Sequence, residues 1–390
     1  MDVWIGRGRK ARRAYGLDEI ALCPGALTIN PDDTDTSFEV GGMSFPLPFM
    51  AAAMDGVVDV PFAQHIGRMG GIGILNLEGV QTRYEDPAGV LQEIANANKE
   101  QATEKVQKLY QEPIKEHLVS KRIEEIKSAG VKAVVSAIPQ RAERFGAIAQ
   151  EAGVDIFVVQ STVSTARHES SAYQMLNLAN FCQKLMKVPV IIGNTVHPEA
   201  CLELMECGPA AVLVGIGPGE ACTTRGVLGL GVPQVTATCD CAWARDFHYK
   251  RTGKYIPIIT DGGMSKGGDI CKAFACGADA VVIGSAFAKA KEAPGRGYHW
   301  GMATPHHNLP RGTRVQVGTT GSLEEIILGP ARLDDGSQNL LGALKTCMGA
   351  MGARNIRQLQ LAEIVVAPAI KQEGKLYQKT QGVGMGKSGA

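Results

Sequence analysis

Long apolar runs are missing from the sequence: none reaches the roughly 18 residues that a membrane-spanning helix needs. Aromatic residues make up only 5% of the chain, and the formal net charge is +1. This balance argues against a nucleic-acid or membrane-surface partner. The first residues, MDVWIGRGRKARRAYG, contain no apolar signal segment. We therefore expect a cytoplasmic protein that binds small molecules, with no nucleic acid and no membrane as partner.

A metal-binding cysteine pattern is also missing, because no CxxC pair is accompanied by a second pair or by histidines at zinc spacing. We expect the ten cysteines to be reduced thiols, most of them buried. Cys222 differs from the others because it lies in a glycine-rich stretch, GIGPGEACTTRGVLGLGVPQ, after an apolar run. A core cysteine would lie inside such a run, whereas this thiol follows the end of a predicted strand.

Short apolar runs alternate with helix-like stretches along most of the chain. Runs followed by helices indicate parallel strands buried on both faces. Eight of them favour an α/β fold, a closed (β/α)8 TIM barrel, over an open sheet. They lie at residues 48–54, 71–76, 132–138, 155–161, 189–194, 210–217, 256–263 and 279–286. Reactive groups of such barrels lie at the C-terminal ends of the strands, where Asn194, Cys222, Asp261 and Ser285 fall.

The other segments are interpreted as additions to a single domain, residues 1–390. Residues 1–47 form an N-terminal arm, and residues 80–128 form amphipathic helices over the barrel. Residues 294–335 show little periodicity and are predicted to be a mobile, flap-like excursion. Residues 376–390 are expected to be a disordered tail.

Four stretches together resemble the IMP dehydrogenase / GMP reductase family: LDEIALCPG, GIGPGEACTTRGVLGLGVPQVTA, DGGMSKGGDI and GADAVVIGS. The resemblance extends from about Leu17 to about residue 360 and implies a (β/α)8 barrel, a homotetramer and a purine nucleotide ligand. Most IMP dehydrogenases insert a pair of CBS regulatory domains after the second strand. Here only about 55 residues separate GIGILN from KAVVSAI, too few for such a pair.

Two motifs resemble the dehydrogenase branch of this family. Residues 231–234 are GVPQ, where reductases usually have GYPQ, and GADAVVIGS also matches the dehydrogenase version. The resemblance therefore implies NAD⁺-dependent oxidation of IMP to XMP in guanine nucleotide biosynthesis. GMP reductase, which converts GMP to IMP with NADPH, remains an alternative. A catalytically weak purine-nucleotide-binding barrel is another.

The resemblance implies that Cys222 is the nucleophile that adds to C2 of the purine. A hydride can then leave to NAD⁺, and water can hydrolyse the covalent thioimidate. Arg311 of the flap is a candidate base for this hydrolysis, with Thr224 relaying a proton. His306 and His307 are the alternatives, because histidine has the better intrinsic pKa.

The same resemblance implies a set of binding residues. Ribose and phosphate contacts fall on Asp261, Gly262, Gly263, Gly284 and Ser285. Further substrate contacts fall on Met54, Gly219, Tyr298, Gly301 and Met302. Cofactor contacts fall on Gln160 and Asn194, and a site for a monovalent cation such as K⁺ falls on Gly217, Gly219 and Cys222.

Three residues depart from the family's usual pattern. Serine is usual at the positions of Glu220 and Ala52, and an NAD-contacting aspartate at the position of Gln160. A carboxylate at position 220 would repel a phosphate dianion. Either Glu220 points away, or it accepts a proton from a base hydroxyl, or the phosphate position shifts. The usual flap dyad Arg-Tyr is also missing, and these departures keep the catalytically weak alternative open.

Overall fold

The computed structural model describes residues 2–171, 175–302, 313–370 and 372–386. Short antiparallel strands come first: β1 (Asp2–Gly6), β2 (Arg9–Arg12), β3 (Ile20–Leu22), β4 (Phe38–Val40) and β5 (Met43–Phe45). β1 pairs with β2 and β4 with β5. Phe38 and Phe45 stack on each other and pack in the same cluster as the barrel interior, so the β4–β5 hairpin contributes to that core.

Eight parallel strands then close into a barrel in chain order. They are β6 (Phe49–Ala51), β7 (Ile72–Asn76), β8 (Val134–Ala137), β9 (Ile156–Gln160), β10 (Val190–Thr195), β11 (Ala211–Val214), β12 (Ile258–Asp261) and β13 (Ala280–Ile283). β13 closes the barrel on β6 through the pairs Val281–Phe49 and Ile283–Ala51. Each predicted apolar run coincides with one of these strands, and only β10 extends one residue beyond its run, which confirms the predicted (β/α)8 barrel.

The side chains of each barrel strand alternate between two buried environments. In β8, Val134 belongs to the interior cluster, whereas Val135 packs with the surrounding helices. Ile191 and Ile192 of β10 divide in the same way. Because both faces are buried, these strands are continuous apolar runs in the sequence.

Helices cover the outside of the barrel and the segments beyond it. They are α1 (Val60–Arg68), α2 (Pro87–Ala95), α3 (Ala102–Leu109), α4 (Glu116–Lys127), α5 (Pro139–Glu151), α6 (Leu178–Asn180), α7 (Pro198–Glu206), α8 (Thr224–Leu228), α9 (Gln234–Thr252), α10 (Gly267–Ala275), α11 (Ser285–Ala288), α12 (Leu323–Ile327), α13 (Leu340–Ala350), α14 (Ile356–Leu359) and α15 (Leu376–Gln381). A π-helical turn, Phe181–Leu185, follows α6 directly. In the part of the chain that the structure describes, no helix has both the length and the apolar character needed to cross a bilayer.

The described parts of the excursion at residues 294–335 are more regular than its composition predicted. β14 (Tyr298–Trp300) pairs antiparallel with β15 (Arg314–Gln316), and α12 follows. A last strand, β16 (Ile364–Val366), pairs with β3 and ties the end of the chain to the N-terminal arm. The segment predicted to be a disordered tail contains α15, whose Leu376 and Tyr377 side chains are exposed.

The excursion is anchored by α2 and α3, which lie in the connection between β7 and β8. Ile94 of α2 and Val106 of α3 pack in one cluster with Trp300, which is fully buried. Arg314 donates to the carbonyl oxygen of Ile94 at 2.6 Å. Tyr110 accepts a hydrogen bond from the Trp300 indole at 2.9 Å. β14 is therefore held by α2 and α3, and β15 by α2.

Candidate active site

A cavity of about 920 Å³ lies at the C-terminal end of the barrel. The C-terminal ends of parallel barrel strands meet at one rim, so residues distant in sequence come together there. The predicted residues that line it are Met54, Gln160, Asn194, Gly217, Gly219, Cys222, Thr224, Asp261, Gly262, Gly263, Gly284, Ser285, Gly301 and Met302. Arg311, His306 and His307 lie outside the described residues.

The Cys222 loop, between β11 and α8, packs directly on the turn that follows β12. Gly263 in this turn has φ +81°, a conformation that favours glycine. A Cβ atom at position 263 would lie 3.0 Å from the Cβ of Pro218, so there is little room for a side chain. The amide of Cys222 donates to the carbonyl of Gly219 at 3.1 Å and closes a tight turn. These contacts fix the thiol next to the turn after β12.

Cys222 is one of two exposed cysteines; the other is Cys239 on α9. Its Sγ donates to Oγ1 of Thr224 at 3.2 Å. Thr224 is buried at the start of α8, so its hydroxyl has a fixed position beneath the sulfur. The site therefore combines an accessible nucleophile with a hydroxyl that accepts its hydrogen bond and can relay its proton.

Asp261, at the end of β12, is held by two amide side chains from other strands. Nδ2 of Asn194 and Nε2 of Gln160 donate to its Oδ2 at 2.7 and 3.1 Å. Gln160 also donates to Oδ1 of Asn194 at 3.0 Å, which completes a triangle. Burial raises the pKa of Asp261 to about 6, although the hydrogen bonds from Asn194 and Gln160 oppose the shift.

Gln160 and Asn194, the predicted cofactor contacts, both line the cavity. Their amide groups are also hydrogen-bonded to Asp261, the predicted ribose contact. These bonds form because the ends of β9, β10 and β12 converge at the rim of the barrel. The two amides thus position a carboxylate.

Tyr298, a predicted substrate contact, and its neighbour His299 occupy opposite faces of β14. Successive side chains of a strand point to opposite faces. Tyr298 does not line the cavity, and its ring packs against the Arg314 guanidinium at 4.4 Å. The next residue, His299, lines the cavity instead. Because side chains alternate along a strand, the prediction that Gly301 lies at the site would also have indicated His299, two residues earlier.

His299 forms a polar cluster with Ser285 and Glu220. Its Nε2 lies 3.1 Å from Oγ of Ser285 and 3.9 Å from Oε2 of Glu220. The pKa of Glu220 is lowered, chiefly by the hydrogen bond with His299 and further by Ser285 and Lys289, although burial opposes the shift. A carboxylate, a hydroxyl and an imidazole therefore face one another at this end of the cavity.

A second charged group, which the sequence reasoning missed, lies on another wall of the cavity. Arg141 at the start of α5 donates to Oε2 of Glu78 at 2.6 Å. Burial raises the pKa of Glu78, although Arg141 and Arg83 oppose the shift. These residues follow β7 and β8, so their position after predicted strands was the signal available in the sequence.

The structure describes no group of three or more His, Cys, Asp or Glu side chains that could hold a metal ion. The predicted site for a monovalent cation depends on backbone carbonyls. Of these, the Gly219 carbonyl already accepts the Cys222 amide, which leaves one lone pair for another partner.

Comparisons with known proteins agree with this geometry. The sequence model of the IMP dehydrogenase / GMP reductase domain matches residues 14–375. An uncharacterized oxidoreductase of Mycobacterium leprae is 37% identical over 374 residues, which cover 94% of this chain and 100% of the relative. The inosine-5'-monophosphate dehydrogenase of Cryptosporidium parvum is 31% identical over 384 residues, 88% of this chain and 89% of that enzyme.

A solved structure supports the same assignment. The crystal structure of an IMP dehydrogenase/GMP reductase-like protein from Corynebacterium glutamicum superposes with a TM-score of 0.88 at 34% sequence identity, covering 94% of this chain and 97% of the other. The sequence match and the shared fold both extend over nearly the whole chain. The protein therefore belongs to the IMP dehydrogenase / GMP reductase family of oxidoreductases.

Proposed function

We propose that the protein is an NAD⁺-dependent IMP dehydrogenase that oxidises IMP to XMP. The observation that carries the proposal is the accessible Cys222 thiol in the rim cavity, hydrogen-bonded to Thr224. A nucleophilic thiol is what oxidation at C2 of a purine needs, because addition makes that carbon tetrahedral. The GVPQ motif at residues 231–234 favours the dehydrogenase over the reductase.

Binding of the ribose is assigned to Asp261. Its carboxylate accepts hydrogen bonds from the ribose hydroxyls, while Asn194 and Gln160 hold its orientation. A carboxylate whose pKa is about 6 is mostly ionised at neutral pH and can accept both hydrogen bonds. This fixed contact places the purine toward Cys222 in the adjacent loop.

The chemical step begins when Cys222 Sγ adds to C2 of the purine, while the thiol proton passes through the Thr224 hydroxyl to N3. The C2–H bond then breaks, its electron pair leaves as hydride, and the N3 proton is released to solvent. The C2=N3 bond is thereby restored in a thioimidate that joins C2 to sulfur. NAD⁺, when bound, supplies the hydride acceptor. Water then attacks C2, the C–S bond breaks, and XMP is released with the thiol restored. Two chemical steps thus replace one difficult substitution.

The cavity is large enough for a second ligand. About 920 Å³ lies near the upper end of the roughly 300–1,000 Å³ typical of small-molecule sites. Ser136, Pro139, Thr162 and Arg141 line it and are available to the cofactor. The Arg141 guanidinium suits a pyrophosphate group, because it donates in a planar fork.

The test is the near-ultraviolet absorbance of the reduced nicotinamide cofactor. With IMP and NAD⁺, we expect absorbance to rise and XMP to appear in equal amount. A fall with GMP and NADPH would instead identify a reductase. If neither pair changes the absorbance while IMP still binds, the protein is a nucleotide-binding barrel without this activity.

A further inference from the structure

Three side chains from three separate segments meet at one end of the cavity. Glu220 comes from the Cys222 loop, Ser285 from the start of α11, and His299 from β14. Nε2 of His299 lies 3.1 Å from the Ser285 hydroxyl and 3.9 Å from the Glu220 carboxylate. Gly284, next to Ser285, also lines the cavity, and the family resemblance assigns this pair to the phosphate.

The buried environment of His299 determines which nitrogen carries its proton. Its relative exposure is 1%, and Nδ1 has no hydrogen-bond partner among the described residues. A second N–H group at Nδ1 would be a buried donor without an acceptor, which is costly. The neutral tautomer with its proton on Nε2 avoids this cost. His299 therefore presents one N–H donor toward Ser285 and Glu220.

Glu220 gives this end of the cavity a negative charge. Its side chain is 53% exposed, and the neighbouring His299, Ser285 and Lys289 hold its pKa low, although burial opposes the shift. Lys289 follows α11 directly and is the cation that faces Glu220 from that helix. A phosphate dianion that reached His299 and Ser285 would lie beside this carboxylate and be repelled.

A phosphate monoanion avoids that repulsion because it carries one P–OH group. This hydroxyl can donate to the Glu220 carboxylate, while another phosphate oxygen accepts the Nε2 proton of His299. The second ionisation of a phosphomonoester has a pKa near 6. Both forms are therefore present close to neutral pH, and the site can discriminate between them.

We propose that Glu220 and His299 make the phosphate end of the cavity selective for the monoanion of a phosphomonoester ligand. Glu220 accepts the phosphate proton and His299 donates to the opposite oxygen. The inference rests on the proposed nucleotide-binding function and identifies the protonation state in which the substrate enters. It makes Glu220 a specificity-determining residue in a position where the family usually has serine.

The test measures equilibrium binding of IMP and of inosine by calorimetry at pH 6, 7 and 8, without NAD⁺. Inosine has the same ribose as IMP but no phosphate. Titration of Asp261 therefore changes both affinities equally and cancels in their ratio. For a second pKa near 6, the monoanion fraction falls about 50-fold between pH 6 and pH 8. We expect the IMP-to-inosine affinity ratio of the wild type to fall by about that factor.

Glu220→Gln should reduce this pH dependence to less than about threefold and bind IMP more tightly at pH 8. Glu78→Gln is the matched control, because it removes the same charge from another wall of the cavity. It should keep the wild-type dependence. His299→Gln, which retains a donor, should bind IMP more tightly at pH 6 than His299→Phe does.

A pH-independent ratio in the wild type, or an unchanged dependence in Glu220→Gln, would overturn the proposal. Loss of the dependence in Glu78→Gln would also overturn it, because the effect would then come from the general charge of the cavity. Failure of the proposed function would give a different result. An enzyme that makes NADH but shows a flat ratio refutes only the monoanion selectivity, whereas binding with the expected ratio but no NADH refutes only the dehydrogenase activity.

Discussion

Cys222 can be separated experimentally from the loop that carries it. Cys222→Ala removes the sulfur but leaves Gly219 and the turn after β12 in place. We expect turnover to vanish while the IMP dissociation constant stays within about tenfold of wild type, because ribose and phosphate contacts lie elsewhere. Cys239→Ala is the control, since Cys239 is the other exposed cysteine and lies on α9. Wild-type turnover in Cys222→Ala would exclude covalent catalysis.

The ionised Asp261 carboxylate lowers the free energy of unfolding, by an amount that depends on pH. Its folded pKa of about 6 lies above its ordinary 3.8, so the folded state binds the proton more tightly than the unfolded state does. Protonation of Asp261 therefore stabilises the folded state. This stabilisation is complete below about pH 3.8 and is lost as the pH rises through 6. Asp261→Asn should therefore be more stable than wild type at pH 8, by about 3 kcal/mol, and this gain should shrink toward pH 4.

Chemical denaturation of both proteins across this pH range measures the effect. The same variant should bind inosine more weakly, because an amide oxygen without charge is a poorer acceptor for ribose hydroxyls. Equal stability of the two proteins at pH 8 would show that the ionised, buried carboxylate does not destabilise the folded state.

Arg311, which lies outside the described residues, is the candidate that the sequence offers for the base that activates water. Arg311→Ala should slow hydrolysis of the thioimidate much more than hydride transfer. Rapid mixing should then show a burst of NADH near one equivalent per site, followed by a slow steady state. If both steps slow equally, or neither does, Arg311 is not the base, and His306→Ala and His307→Ala become the informative variants.

Residue types at strand ends could be predicted, but their partners could not. Cys222 and Asp261 follow apolar runs, so their place at the barrel rim follows from the fold class. The bond from Gln160 to Asp261 joins residues 101 positions apart and depends on how strands converge in three dimensions. That His299 rather than Tyr298 lines the cavity depends on which face of β14 each side chain occupies, and one residue along a strand reverses that face.

Among the elements, the contact between β15 and the end of α2 is open to a direct test. Arg314 donates to the last carbonyls of α2, those of Ile94 and Ala95, and its guanidinium lies 4.4 Å from the Tyr298 ring. Arg314→Ala should destabilise the β14–β15 pair by about 2 kcal/mol, since bonds from a charged donor are lost. Hydrogen exchange should accelerate in β14 and at the C-terminal end of α2.

Arg332→Ala is the control for this experiment. Arg332 is 75% exposed and pairs with Glu325 on the surface, an interaction worth little. Exchange in β14 should therefore match the wild type. Unchanged exchange in Arg314→Ala would mean that the Trp300 cluster alone anchors the excursion.

The barrel strands were predictable because each is buried on both faces, whereas the support of the excursion was not. Nothing local to residues 294–335 indicates that Trp300 will pack against Val106, almost two hundred residues earlier. Composition suggested an irregular segment because glycine and proline are frequent there. Regularity in β14 and β15 comes from contacts with α2 and α3, which local sequence does not encode.

At the scale of the whole molecule, an aromatic pair marks a candidate surface for the proposed homotetramer. Trp243 and Phe247 lie one turn apart on α9, stack at 5.4 Å and are 55% and 43% exposed. Exposed aromatic clusters are enriched at protein interfaces. The double variant Trp243→Glu/Phe247→Glu should lower the mass measured by light scattering, whereas Phe247→Tyr should leave it unchanged. A monomeric wild type would contradict the proposed assembly.

The buried indole at the base of the excursion has an optical consequence. The chain contains three tryptophans, and two of them, Trp4 and Trp243, are largely exposed. Trp300 is fully enclosed, bonded to Tyr110 and two residues from Met302, which lines the cavity. With the other two replaced by phenylalanine, its blue-shifted fluorescence becomes a built-in reporter. Emission from a single indole would then follow arrival of a nucleotide in real time, without a label and without turnover.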